Sequence, residues 1–314
     1  MTKKRKIQTI LLLLFMLTFF EATSQTYTIE AKFKLDTVYN FTVKRAKISS
    51  QNPATKDLSQ LTQITTKFTR LDENELRFLW KYGETKAMME TTDITSQIGS
   101  DYVELINLYK NFELELSLDK QTGEIKLLNY GKMKDNLANS FTKMYANKAT
   151  ADIDSTQSIQ IMKQLEATYS TPSLLLATYF PEIDLYFSLY LNTLEKNAVY
   201  DYEGLYPNPF GGEAFPVKGK VVIESVEKDT LKVKDTSKIE DEDVNRILKD
   251  IFERMTEEQN RSLDKEEIPT FTFDSVSHFH YNLNEKVVIK ALSKKINKTS
   301  DVTQTQILEV SLLD

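Results

Sequence analysis

Scarcity comes first: of 314 residues none is Cys, two are His, one is Trp, eight are Gly and seven are Pro. Each shortage excludes a class. Without Cys there is no disulfide scaffold, no thiolate zinc site, no thiol nucleophile and no lipid-modified cysteine. Two His leave little material for a histidine metal cage or an acid–base centre. So little Gly and Pro excludes a collagenous or low-complexity chain, and 40 % apolar residues is too many for disorder. No Gly-x-Ser-x-Gly elbow, P-loop, Gly-x-Gly-x-x-Gly or His-Glu-x-x-His occurs. Catalytic residues, metal and cofactor are therefore all expected to be none.

The one run suited to a leader is N-terminal. Lys3 to Lys6 form a basic segment, Ile10 to Phe20 an apolar one, and Ala22 and Ser24 are small and spaced for a signal peptidase. Eleven residues fall short of the roughly 20 that span a bilayer. Residues 1–24 therefore read as a cleaved signal peptide, with the mature protein periplasmic or secreted and without a stable membrane span. The whole chain holds 40 basic and 46 acidic groups; the leader holds four and one of these, leaving 36 and 45. A mature net charge of −9 with no basic block argues against nucleic-acid partners.

Beyond the leader, period-2 alternation dominates. Tyr27, Ile29, Ala31, Phe33 and Leu35 alternate with polar residues, as do Tyr39 to Val43, Ile64 to Phe68 and Leu76 to Tyr82. Phe112 to Leu118, a turn at Asp119 to Gly123 and then Ile125 and Leu127 form the clearest hairpin. The period changes to helical at Met133, Leu137, Phe141 and Met144, and again at Ile159, Met162, Leu165 and Tyr169. Strands return with Val221 and Ile223 against Leu231 and Val233, then over Phe271 to Tyr281, Val287 to Leu292 and Gln306 to Leu312. An acidic helix from Asp241 to about Glu258 lies between. This order, without βαβ alternation, predicts an α+β protein: a large curved, half-barrel-like antiparallel sheet wrapping apolar helices. Residues 25–314 are expected to form one domain, with a possible subdivision near Ala198.

Two constellations bear on binding. Residues 173–191, broken by Pro181, are the most apolar part of the mature chain. They fit either a helix buried by the sheet or the wall of an apolar cavity, in which Leu174, Tyr179, Phe180, Tyr186 and Phe187 would touch a hydrophobic small molecule or lipid. His278 and His280 share one strand face and could ligate one metal, but Phe279 and Tyr281 mark the opposite face as the core, which leaves both His in solvent without a third ligand.

The stretch Pro207-Asn-Pro-Phe-Gly-Gly-Glu213, then Pro216, a hairpin over residues 217–235 and an acidic helix over 241–257, resembles a family of uncharacterised exported bacterial proteins. The resemblance implies context and no chemistry. It singles out Phe210, Gly211, Gly212 and Glu213 as a rigid loop that either ties the sheet or meets an envelope protein. The layout is also similar to the half-barrel carriers of the bacterial envelope. The leading expectation is thus an exported, non-enzymatic binder of an apolar or amphipathic ligand. An envelope interaction or structural module, and less so a carboxylate-based hydrolase, remain open.

Overall fold

Side chains that point inward at every second position build most of this molecule. The computed structural model describes residues 25–51, 58–148, 165–206, 214–239, 241–258, 271–299 and 302–313. The leader and the loop over residues 207–213, with Phe210, Gly211, Gly212 and Glu213, lie outside them, as do Ile159 and Met162.

The strands are β1 (Thr26–Thr28), β2 (Val38–Ser49), β3 (Leu58–Leu71), β4 (Glu75–Met89), β5 (Thr92–Asp93), β6 (Glu113–Asp119) and β7 (Ile125–Leu127). After the central helices come β8 (Thr193–Glu195), β9 (Val199–Tyr206), β10 (Phe215–Glu227) and β11 (Thr230–Ile239), and then β12 (Phe271–Asn282), β13 (Val287–Thr299) and β14 (Thr303–Leu313). The helices are α1 (Ser100–Ile106), α2 (Tyr130–Lys148), α3 (Pro172–Tyr179), α4 (Pro181–Phe187) and α5 (Asp241–Glu258).

Twelve strands form one antiparallel sheet, ordered β7-β6-β4-β3-β2-β14-β13-β12-β11-β10-β9 with β5 on β4. The expected α+β class with a large antiparallel sheet is what the structure shows. Most neighbours are consecutive strands, β11 and β12 with α5 between them in the chain. Two pairings are not consecutive: β4 lies against β6, and β14 lies between β2 and β13.

The inner face follows from parity. Phe41 and Val43 on β2, Ile64 and Phe68 on β3, Phe78 and Trp80 on β4, and Phe279 and Tyr281 on β12 are all buried. Helices α3 and α4 lie across this face. Tyr186 meets Phe41 with ring centroids 5.0 Å apart, and Phe187 meets Phe78 at 4.7 Å. A second cover sits at the other end of β10 to β12, where α5 sets Val244, Ile247 and Leu248 against Phe215, Val217, Ile239, Phe271 and Phe273.

Tyr27 to Leu35 departs from expectation. Only Thr26–Thr28 pairs, with β8, and the chain then crosses the core without a ladder. Its alternation comes from one-sided burial: Phe33 stacks on Phe68 at 3.8 Å, and the Tyr281 hydroxyl holds the backbone of Glu30. One buried face produces period 2 whether or not a strand partner exists.

No helix among the described residues is long and apolar enough to cross a membrane.

Candidate functional site

The two prolines fix the geometry of residues 173–191. Thr171 accepts a hydrogen bond from the Leu174 N–H, and Pro172 opens α3 where its missing N–H costs nothing. Pro181 disfavours helix at the residue before it, so Phe180 leaves the helical region at φ −130°, ψ 45° and α4 restarts beyond it. The kink lets both short helices press aromatics onto the sheet.

Tyr179, Phe180, Tyr186 and Phe187 are consequently core side chains, between 0 and 8 % exposed, while Leu174 is 45 % exposed. Tyr186 and Phe187 pack against Phe41, Phe78 and Trp80, and Tyr179 and Phe180 against Tyr109, with Tyr82 also beside Phe180 and Phe141 beside Tyr179. Their polar atoms serve the fold as well. The Tyr186 hydroxyl donates to the Val288 carbonyl at 2.8 Å, and the Tyr190 hydroxyl accepts from the Val288 N–H at 2.7 Å. These bonds satisfy a peptide beside the irregularity between β12 and β13. None of the five lines either of the two grooves described next.

A groove nevertheless adjoins the segment at Pro181. It has a volume of about 580 Å³, and its floor is the inner face of β2, β3, β14 and β13. Two cross-strand rows make that floor. Arg45 faces Leu308, which faces Ser293; two residues along, Lys47 faces Gln306, which faces Lys295. Gln60 extends the first row onto β3. Leu58, Tyr102 of α1 and Pro181 of α4 add apolar surface.

The charged side chains that line this groove are all basic. Its lining residues include Arg45, Lys47 and Lys295 and no carboxylate. Behind it, Arg45 Nη2 donates to Glu182 Oε2 at 2.5 Å and to the Tyr179 carbonyl at 3.3 Å, while its buried Nε has no partner in the described residues. Glu182 is fully buried and also accepts from the Tyr82 hydroxyl. Burial opposes the Arg45 charge, but Glu182 outweighs it and holds the guanidinium firmly protonated. Burial, followed by the charge of Glu182, pushes the Tyr82 phenol well above 10, so it stays a donor. Burial lowers the Lys295 ammonium, with Asp184 opposing that shift, and burial raises Asp184 in turn.

A larger groove of about 950 Å³ crosses β9 to β12. It is lined by Asp201, Glu203 and Asp274 as well as Lys218, Lys220 and Lys238, so neither sign of ligand is favoured. The His pair sits on the opposite parity from Phe279. His278 Nδ1 lies 3.0 Å from Glu224 Oε2, and burial followed by Lys232 and Lys290 lowers the His280 pKa. Among the described residues no three of His, Asp and Glu gather to hold a metal.

Fold and site together define an α+β protein with an open antiparallel sheet and a cationic, partly apolar groove. No protein-family model matches the chain, and no curated protein does. The resemblance at residues 207–213 therefore rests on that motif and the layout around it. A solved structure titled "Lipid-protein interactions in lipovitellin" matches 90 % of this chain with a TM-score of 0.41 and 10 % identity, and the match takes up 26 % of the other chain.

Proposed function

We propose that this protein is a non-catalytic binder of an amphipathic small molecule, taken into the groove beside Pro181. One observation carries the reading: apolar Leu58, Tyr102, Pro181 and Leu308 share a single groove with the polar groups of Gln60, Ser293 and Gln306. Its volume falls in the range of about 300–1,000 Å³ typical of small-molecule sites. The binding surface is thus moved from the aromatics of residues 173–191 to the sheet floor next to them, and only Pro181 is shared. The reading includes export, on the strength of the basic and apolar pattern over residues 1–24.

The test is uptake of the neutral dye Nile red by purified protein, together with solvent extraction and mass spectrometry of whatever copurifies. Saturable fluorescence, lost in a Leu308→Trp variant that keeps its melting temperature, is the expected result. A protein that arrives empty and takes up neither the dye nor palmitate overturns the reading.

A further inference from the structure

We infer that the ligand is an acid: a carboxylate or phosphate head group sits over the Lys47–Gln306–Lys295 row beside Arg45, and its chain lies on Leu58, Tyr102, Pro181 and Leu308. The inference deepens the binding reading above and rests on it.

The row is where the sheet concentrates charge. Lys47 and Lys295 flank Gln306 in direct cross-strand register, so their backbones lie two strand spacings apart, about 10 Å. Both side chains leave the same face, with the Gln306 amide between them. Among the described residues Lys47 makes no ion pair. Glu182 neutralises Arg45, and Asp184 partly offsets Lys295, so the corner keeps a positive excess even with both acids ionised. That excess stands in a chain whose net charge is −6.

A corner with a net cationic excess costs free energy through mutual repulsion and, at Lys295, through lost hydration. An anion relieves both, and it also supplies an acceptor for the Arg45 Nε–H. Charge-assisted hydrogen bonds from ammonium and guanidinium groups to an oxyanion are the stronger kind, and a partly desolvated groove strengthens them further. The larger groove across β9 to β12 offers no comparable selection, because its acids and lysines are balanced.

The experiment compares head groups on one chain length. Nile red is displaced with palmitate, hexadecyl phosphate, hexadecanol and hexadecylamine, and with inorganic phosphate alone. Palmitate and hexadecyl phosphate should act at concentrations about tenfold lower than hexadecanol, with hexadecylamine weakest and inorganic phosphate inactive. Lys47→Ala, an exposed change that leaves the fold intact, should weaken palmitate severalfold and leave hexadecanol unchanged. Lys295→Ala should do the same wherever its melting temperature is retained.

Equal displacement by acid and alcohol overturns the inference and leaves the binding reading standing, as does palmitate affinity untouched by Lys47→Ala. Inorganic phosphate binding as tightly as hexadecyl phosphate also overturns it, since the site would then hold a free anion and not an amphiphile. If dye and all four chains fail to bind, the binding reading itself falls and takes the inference with it.

Discussion

Arg45 on β2 and Glu182 on α4 are 137 residues apart in the chain and meet with Nη2 2.5 Å from Oε2. The pair fastens the helical cover to the sheet and is a unit with Tyr82, the second donor to Glu182. Arg45→Met strands a carboxylate that is 0 % exposed. The expected loss is about 3–5 kcal/mol, read by urea denaturation. The triple variant Arg45→Met, Glu182→Leu, Tyr82→Phe removes charge and donors together and should regain most of that loss. Equal losses in the single and triple variants would mean that stranded charge is not the cause.

Phe187 and Leu174 separate core from surface within the same apolar stretch. Phe187→Ala empties a site wedged against Phe78 and Trp80 and should cost about 3–5 kcal/mol. Leu174→Ala should change stability by less than about 0.5 kcal/mol. The ratio of the two, from denaturant midpoints, tests whether the aromatics serve packing.

Gly219 lets a ring lie on the sheet. Tyr202 is its cross-strand partner, and a Cβ at 219 would come within 2.1 Å of the Tyr202 Cζ. Gly219→Ala therefore expels the ring and breaks its hydroxyl bond to Asp235, 2.9 Å long. The expected cost is about 1 kcal/mol in the native background and near zero in a Tyr202→Ala background. Additive effects in that cycle would refute the contact.

Asp93 gives a pH signature. Hydrogen bonds from the Thr95 hydroxyl and N–H, then from Lys86, hold its carboxyl down to about 2, against an ordinary value of 3.8. A lowered folded pKa contributes stability that is present above 3.8 and is lost as pH falls towards about 2. An NMR titration of the Asp93 carboxyl carbon should find the low midpoint, and Thr95→Val should move it up towards the usual carboxylate range. An unmoved midpoint in the variant would exclude the Thr95 hydroxyl as the cause.

Much of the fold was legible because one-sided burial writes itself into the sequence, at every second residue in a strand and every third or fourth in a helix. Leu76 to Tyr82, the hairpin through Gly123, the stripe of Val244 and Ile247 in α5, and the strands β12 to β14 all follow from it. The same signal misleads at Ile29 and Phe33, which are buried on one side without a full ladder. It is faint at β9, an edge strand where Val199 and Leu205 are exposed and Tyr202 half-exposed, so no parity reads as buried. The groove was not legible at all. Lys47, Gln306 and Lys295 come together only through the order β2-β14-β13, which joins the two ends of the chain, and nothing local to any of them marks that pairing. The density of aromatics around Tyr186 and Phe187 is what a helix pressed onto a broad aromatic face requires.

The position of β14 has a consequence for biogenesis. Until residues 303–313 dock, β2 and β13 each keep a long rim of unpaired amides and carbonyls, and such rims recruit stray strands. Docking that late wedge demands closure over most of the sequence, a slow event by topology alone. Before that step the sheet is two unfinished halves awaiting a keystone, and a holdase that masks strand edges would then matter more than one that masks oily patches.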